Sequence, residues 1–278
     1  MKQILYWMVV TVLTVTVQAQ KKSANNWKPE AVVGVNLSQF SFSNWATGGE
    51  DKLSWNFVGE GKLNYTKDKL SFSNYIKLDY GRSKVGDGLS KTIQNDLLFN
   101  NNVSYKSGWL FEYYAGLNLI TQIAPGYEYT STEPVQVTAF FDPADVTESA
   151  GLIYNNSKII KSQLGFGFHQ VFSKKFTKTA KPPRNSKLEK TKYETGIESI
   201  TSVNLELYKH ILWTSYLRLF SSFDRLETWD VRWDNTLTAS VNSWLNVNFT
   251  LLVVYNKAVT TKTQVKEALQ LGVSYKLL

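Results

Sequence analysis

From about residue 53 to the C-terminus, side chains alternate between apolar and polar with a period of two. Leu53, Trp55, Phe57, Gly59, Gly61, Leu63 and Tyr65 stand against Ser54, Asn56, Val58, Glu60, Lys62 and Asn64. Leu70, Phe72, Ile76, Leu78 and Tyr80 then stand against Ser71, Ser73, Tyr75, Lys77 and Asp79. The alternation persists in Val231, Trp233, Leu237 and Ala239, in Val247, Phe249, Leu251 and Val253, and in Val265, Leu269, Leu271, Val273 and Tyr275. Successive side chains of a strand point to opposite faces, so each segment reads as a strand with one apolar and one polar face.

About twelve such strands are predicted, over 31–43, 53–66, 69–81, 92–106, 109–124, 147–155, 159–173, 192–208, 211–223, 231–242, 245–257 and 265–277. They are long. A tilted strand that crosses a bilayer needs about 9–11 residues, whereas strands of soluble proteins average about 5–6. Connection lengths alternate as well. Short ones fall at Lys67-Asp68, Ser107-Gly108, Lys209-His210 and Ser243-Trp244, and long ones at 44–52, 82–91, 125–146 and 174–191. Short turns at one end and long loops at the other characterise outer-membrane barrels. Trp45, Trp109, Trp213, Trp229, Trp233 and Trp244 fall at or near strand ends, where an indole can bury its ring and keep its N–H wet.

The first residues read as a secretory signal. Lys2 supplies the positive charge, Ile4 to Val17 carries none, and Val17-Gln18-Ala19 offers a cleavage site. That apolar stretch is shorter than the ~20 residues a spanning helix needs. The expected organisation is a signal peptide over 1–19, a short periplasmic segment over 20–30 and a barrel over 31–278. The fold class is all-β, a transmembrane antiparallel up-and-down barrel with both ends in the periplasm of the cell outer membrane. A soluble secreted β protein is the structural alternative. It would have to bury the polar faces or expose the aromatic ones.

Several motifs recur in order along nearly the whole chain. They are Asn44-Trp45-Ala46-Thr47-Gly48-Gly49-Glu50, Leu78-Asp79-Tyr80-Gly81, Lys91-Thr92 with Asn95-Asp96, Thr121-Gln122, Pro125-Gly126-Tyr127 and Phe140-Phe141-Asp142-Pro143. In these the chain resembles an outer-membrane barrel family of Bacteroidota known only as a domain of unknown function. The resemblance implies an envelope location and no particular activity. Asp142 and Asp145 stand where it would place a small residue and an aromatic.

The polar face supplies the candidate lumen charges. The alternation turns Glu60, Asp79, Asp96, Glu112, Glu194, Glu198, Glu206 and Asp234 inward, with Lys62, Lys77, Arg218, Arg232, Lys266 and Lys276. They either fill a narrow barrel as mutual ion pairs or line a selective pore. About twelve strands leave little width once Tyr75, Tyr114, Tyr208, Tyr216 and Phe220 also point in, which favours filling.

Catalytic chemistry has few residues to use. Cysteine is absent and there are two histidines. His210 falls in a tight turn at the periplasmic end. His169 faces inward, because Leu164, Phe166, Phe168 and Phe172 claim the lipid face. Two positions after it stands Val171 rather than serine, and no aspartate flanks it along the chain. Glu128, Glu133, Asp142 and Asp145 are too scattered for a calcium loop. Neither Gly48-Gly49 nor Gly86-Asp87-Gly88 has the context of a phosphate loop. No cofactor and no metal are expected. A non-enzymatic envelope protein is expected, either a narrow channel or a structural and interaction barrel, and a membrane-embedded lipid or peptide hydrolase is the alternative.

The net charge is +8, and the excess sits in one outer segment. Lys174, Lys175, Lys178, Lys181, Arg184, Lys187, Lys190 and Lys192 face Glu189 alone, and Pro182-Pro183 prevents one continuous helix. These are candidate anion contacts. The expected partners are membrane lipid and lipopolysaccharide, with a surface polysaccharide or an acidic protein as further options. Nucleic acid is not expected, since no reader motif is present.

Overall fold

The structure, a computed structural model, describes residues 26–41, 50–129, 133–155, 157–176, 191–257 and 260–278. The proposed signal peptide lies outside them. Fourteen strands follow in chain order. They are β1 (Trp27–Phe40), β2 (Lys52–Lys67), β3 (Leu70–Val85), β4 (Lys91–Tyr105), β5 (Glu112–Thr121), β6 (Gly126–Glu128) and β7 (Val135–Thr138), then β8 (Ala144–Tyr154), β9 (Ile160–Phe172), β10 (Thr191–Tyr208), β11 (Ile211–Ser222), β12 (Asp230–Ser240), β13 (Leu245–Tyr255) and β14 (Gln264–Lys276). Twelve of them close into one antiparallel barrel, in the order β1-β14-β13-β12-β11-β10-β9-β8-β5-β4-β3-β2, and β6 and β7 form a separate hairpin. Closure leaves the wall without a free sheet edge, the condition a sheet needs in order to cross lipid. Among the described residues no helix is long and apolar enough to span a membrane.

The barrel is made of consecutive hairpins, so both terminal strands end at the same rim. That rim carries the tight connections at Asp68-Lys69 and Lys209-His210. Asp68 and His210 adopt positive φ, 52° and 69°, a conformation that both residue types tolerate in turns.

Several strand ends and one loop differ from the sequence-based reading. β1 begins at Trp27, so residues 27–30 form wall rather than a free periplasmic segment, and Trp27 to Glu30 pair with Tyr65 to Lys62. β3 runs on to Val85 because an irregularity at Gly81/Arg82 lets the ladder continue to Lys52↔Val85 and Ser83↔Lys91. β8 begins at Ala144, which brings Asp145 into the wall opposite Val171. The 125–146 segment contains the β6–β7 hairpin, which short and irregular patterning had hidden. The hairpin is tied to the rim of β4. Ile123 and Ala124 donate their backbone N–H groups to Asn95 Oδ1 at 3.0 and 2.9 Å, and the Tyr129 hydroxyl accepts from the Thr92 backbone N–H at 3.0 Å.

The two faces of the wall have opposite character. The fully buried side chains are mostly polar, with Asn56, Thr121, Thr147, Glu198, Ser221 and Ser222 beside Phe220 and Ile153. Large apolar side chains cover the outside, where Leu164, Phe166, Leu269 and Leu271 are all more than half exposed. This inverts the plan of a water-soluble protein, whose exposed apolar patches rarely exceed a few hundred Å².

Aromatic groups collect in two bands on that outer face. Near the terminus end, Trp27 lies 4.7 Å from Tyr65 and 5.7 Å from Phe72 between ring centroids, and Tyr105, Trp109, Tyr113 and Tyr275 are exposed. Toward the loop end, Trp55 packs edge-on to Tyr80 at 6.2 Å, and Phe168 stacks on Tyr193 at 5.8 Å. Trp55 and Tyr65 both face outward from β2. Their separation along the strand is ~33 Å, or on the order of 20–25 Å of height once tilted, comparable to the apolar band of an outer-membrane barrel.

Candidate functional site

The lumen is the candidate site, and the alternation of each strand delivers its charges there. In its middle, Arg232 of β12 donates Nε to Asp234 Oδ2 at 2.7 Å and Nη2 to Asp234 Oδ1 at 3.1 Å, while its Nη1 lies 3.9 Å from Asp96 of β4. β12 and β4 are opposite one another in the ring. The contact therefore crosses the barrel. Lys266 of β14 adds Nζ at 3.6 Å from Asp96 and a hydrogen bond to Gln94 of β4. Asp79 and Asp96 stand directly opposite in the β3–β4 ladder, and the repulsion is relieved from two sides. Asn56 donates Nδ2 to Asp79 at 2.9 Å while Arg232 and Lys266 serve Asp96.

Next to this crossing lies a fully buried ion pair. Arg218 of β11 donates Nε to Glu198 of β10 at 2.8 Å and Nη2 to Thr147 of β8 at 2.6 Å, and its guanidinium lies 5.9 Å from the Phe220 ring centroid. Glu198 is 0% and Arg218 7% exposed.

Neutral amides fill more of the lumen. Asn248 donates to Asn36 at 3.0 Å and to Asn246 at 2.6 Å, Asn246 donates to Ser274 at 2.8 Å, and Gln270 donates to Asn56 at 2.7 Å. Asn118 of β5 donates to the Tyr216 hydroxyl of β11 at 3.0 Å.

Toward the loop end, β8, β9 and β10 bring Asp145, His169 and Glu194 together. His169 Nε2 lies 3.2 Å from Asp145 Oδ1, and its Nδ1 lies 3.6 Å from Glu194 Oε2. Lys192 at 3.0 Å and Arg225 at 3.2 Å also engage Glu194, and Arg225 reaches Asp230 at 3.1 Å. Asp145 and Glu194 reach His169 from neighbouring strands, which the linear sequence conceals. A serine nucleophile needs an imidazole nitrogen as its base. Here each ring nitrogen faces a carboxylate, an arrangement suited to clamping three strands. Asp142, nearby in sequence, accepts backbone N–H groups from Lys174 and Lys175, both at 2.9 Å, so it anchors the start of the basic segment. Among the described residues no group of three acidic or histidine side chains is arranged to hold a metal ion.

The remaining candidates are dispersed. Glu112 accepts from Ser104 at 2.7 Å near the terminus end, Lys62 lies 6.0 Å from the Tyr75 ring centroid, and Glu206 is exposed at the rim. Glu60 and Lys77 stand opposite one another across the β2–β3 ladder. Of the basic segment, Lys178, Lys181, Arg184, Lys187 and Lys190 lie outside the described residues. Lys192 is placed differently from the sequence-based reading. It is the second residue of β10 and pairs with Glu194, because the strand begins at Thr191.

Residues 37–127 match the model of a family described as a protein of unknown function, DUF3078. The match spans upper β1 through β6 and includes the Asp79–Asp96 pair of the lumen. A comparison with curated proteins finds no match. Among solved structures, the chain is similar to the translocator domain of the autotransporter NalP from Neisseria meningitidis. That match has 9% identity and a TM-score of 0.35, and covers 96% of this chain and 94% of that one. It is also similar to an outer membrane channel from Pseudomonas putida F1, at 12% identity and TM-score 0.41, covering 92% and 97%. A third is the β domain of a Bordetella autotransporter, BrkA, at 11% identity and TM-score 0.33, covering 91% and 99%.

Proposed function

We propose that the chain is a non-enzymatic outer-membrane protein whose termini face the periplasm and whose lumen is closed by its own side chains, so that it acts as a structural and interaction barrel. The observation that carries this reading is the inverted wall, apolar and doubly girdled outside, polar and mutually bonded inside. In lipid such an exterior is solvated by acyl chains, whereas in water it would be an aggregation surface. Arg232 crossing to Asp96 supports closure rather than conduction. The basic 174–192 segment would contact anionic groups of lipopolysaccharide, a surface polysaccharide or an acidic protein, in keeping with its charge.

A narrow gated channel is the second reading. It is favoured by the part-exposed state of the crossing, where Lys266 and Asp96 side chains retain 40% and 28% exposure. Planar-bilayer recording separates the two. The closed barrel gives no discrete conductance steps as wild type and gains them on Arg232→Ala. Steps of regular size from the wild-type protein would establish the channel.

A further inference from the structure

The rim that carries both termini has a charge distribution of its own. Lys67 and Lys69 flank the β2–β3 turn, Lys106 follows β4, Lys158 precedes β9, and Lys209 joins β10 to β11. All five are exposed. Among the described residues of these short connections, the acid present is Asp68. Acids are not scarce in the connections of this chain. Asp51, Asp87, Glu128, Glu133, Asp224 and Glu227 all fall at the opposite rim. The lysines are spread over four hairpins around the ring, so they form a collar rather than one patch.

The collar lies level with the lower aromatic band. Lys69 Nζ is 6.0 Å from the ring centroid of Tyr105, an outward-facing girdle residue that is 49% exposed. Lys106 is the next residue after Tyr105. Tyrosine and tryptophan girdles sit at the headgroup level of a bilayer, and a lysine there can lay its stem along the apolar wall while its ammonium reaches the phosphates. The opposite rim also carries exposed lysines, among them Lys52, Lys84, Lys91, Lys174 and Lys262, but there they are interleaved with the acids of that rim, and two outward-facing acids, Glu148 and Glu267, lie near that girdle.

We propose that the terminus end of the barrel binds anionic phospholipid headgroups through the collar of Lys67, Lys69, Lys106, Lys158 and Lys209. The collar holds that end in the phospholipid leaflet and adds an electrostatic anchor to the aromatic one. This inference rests on the membrane-barrel reading and assigns a lipid class to one side of it.

The test uses the full-length barrel refolded into phosphatidylcholine vesicles containing trace spin-labelled phosphatidylglycerol or phosphatidylcholine. The motionally restricted fraction of each label gives relative association. The expected preference for phosphatidylglycerol is about fivefold at low salt, the size of one engaged lysine at an anionic surface, and it is screened away by high salt. It is lost when the five lysines become glutamine and kept when Lys52, Lys84 and Lys91 of the opposite rim do. Should the fivefold variant not fold, Lys67→Gln/Lys69→Gln and Lys158→Gln/Lys209→Gln are each expected to remove part of the preference. A ratio of one for the wild type, or a ratio that the substitutions leave unchanged, overturns the collar while leaving the membrane reading intact. Failure to enter vesicles of any composition overturns both.

Discussion

Replacing Arg218 with methionine isolates the cost of a closed lumen. The substitution keeps an apolar stem near Phe220 but removes the cation from Glu198, which has no exposed surface, and the donor from Thr147. A carboxylate stripped of its partner in a buried site costs about 3–5 kcal/mol, because neither water nor another cation replaces it. At 1.4 kcal/mol per decade, the ratio of folded to unfolded protein falls by roughly two to three and a half orders of magnitude. Replacing Glu198 as well removes the uncompensated charge, so Arg218→Met/Glu198→Met is expected to recover most of the loss, since well-packed apolar residues often substitute for a buried pair at little net cost. Equilibrium urea unfolding in phospholipid vesicles, followed by tryptophan fluorescence, measures both variants. A single-variant cost below about 1 kcal/mol would mean that water reaches Glu198 and the lumen is open there. A double variant no better than the single would refute the uncompensated charge as the cause.

Four further outcomes follow. Gly196→Ala drives a Cβ into the Ser221 carbonyl oxygen across the β10–β11 ladder, so unfolding should be easier by about 1–3 kcal/mol in the same vesicles. Glu148 faces outward beside Phe168, and among the described residues no hydrogen bond or ion pair engages it, so Glu148→Leu should stabilise the lipid-embedded barrel by about 1 kcal/mol or more. A loss of stability there would argue against lipid contact on β8. Asp142→Ala removes the acceptor of the Lys174 and Lys175 N–H groups, and hydrogen exchange at those two amides should accelerate while exchange within β9 stays unchanged. His169→Gln should lower stability by about 1–3 kcal/mol, through loss of the buried contacts to Asp145 and Glu194, without abolishing any lipid or peptide hydrolase activity the preparation shows.

Period-two alternation carries most of the fold, because in a barrel every strand has one lipid and one lumen face and the chain must declare both. It therefore places Leu164, Phe166 and Phe168 outside and His169 inside without knowledge of any partner strand. What it does not carry is registration. The sequence shows no aspartate beside His169, yet Asp145 lies 3.2 Å away because β8 starts at Ala144 and pairs in a set stagger with β9. Arg232 meets Asp96 only once the whole ring has closed. Lys192 reads as part of a basic run along the chain, and only the start of β10 turns it toward Glu194. The β6–β7 hairpin was hidden for a different reason. Its strands are short, and with both sides at the rim neither face had to be apolar.

The claim that organises all of this is that lipid covers the outer wall between two aromatic bands. Depth-dependent quenching of tryptophan by brominated phospholipids tests it directly. Trp27, Trp109 and Trp244 near one rim, and Trp55, Trp229 and Trp233 near the other, should be quenched most by bromines placed close to the headgroups and least by those near the bilayer centre. Emission that no brominated lipid quenches, from protein that is folded and mixed with vesicles, would contradict the account and return the chain to the soluble β proteins.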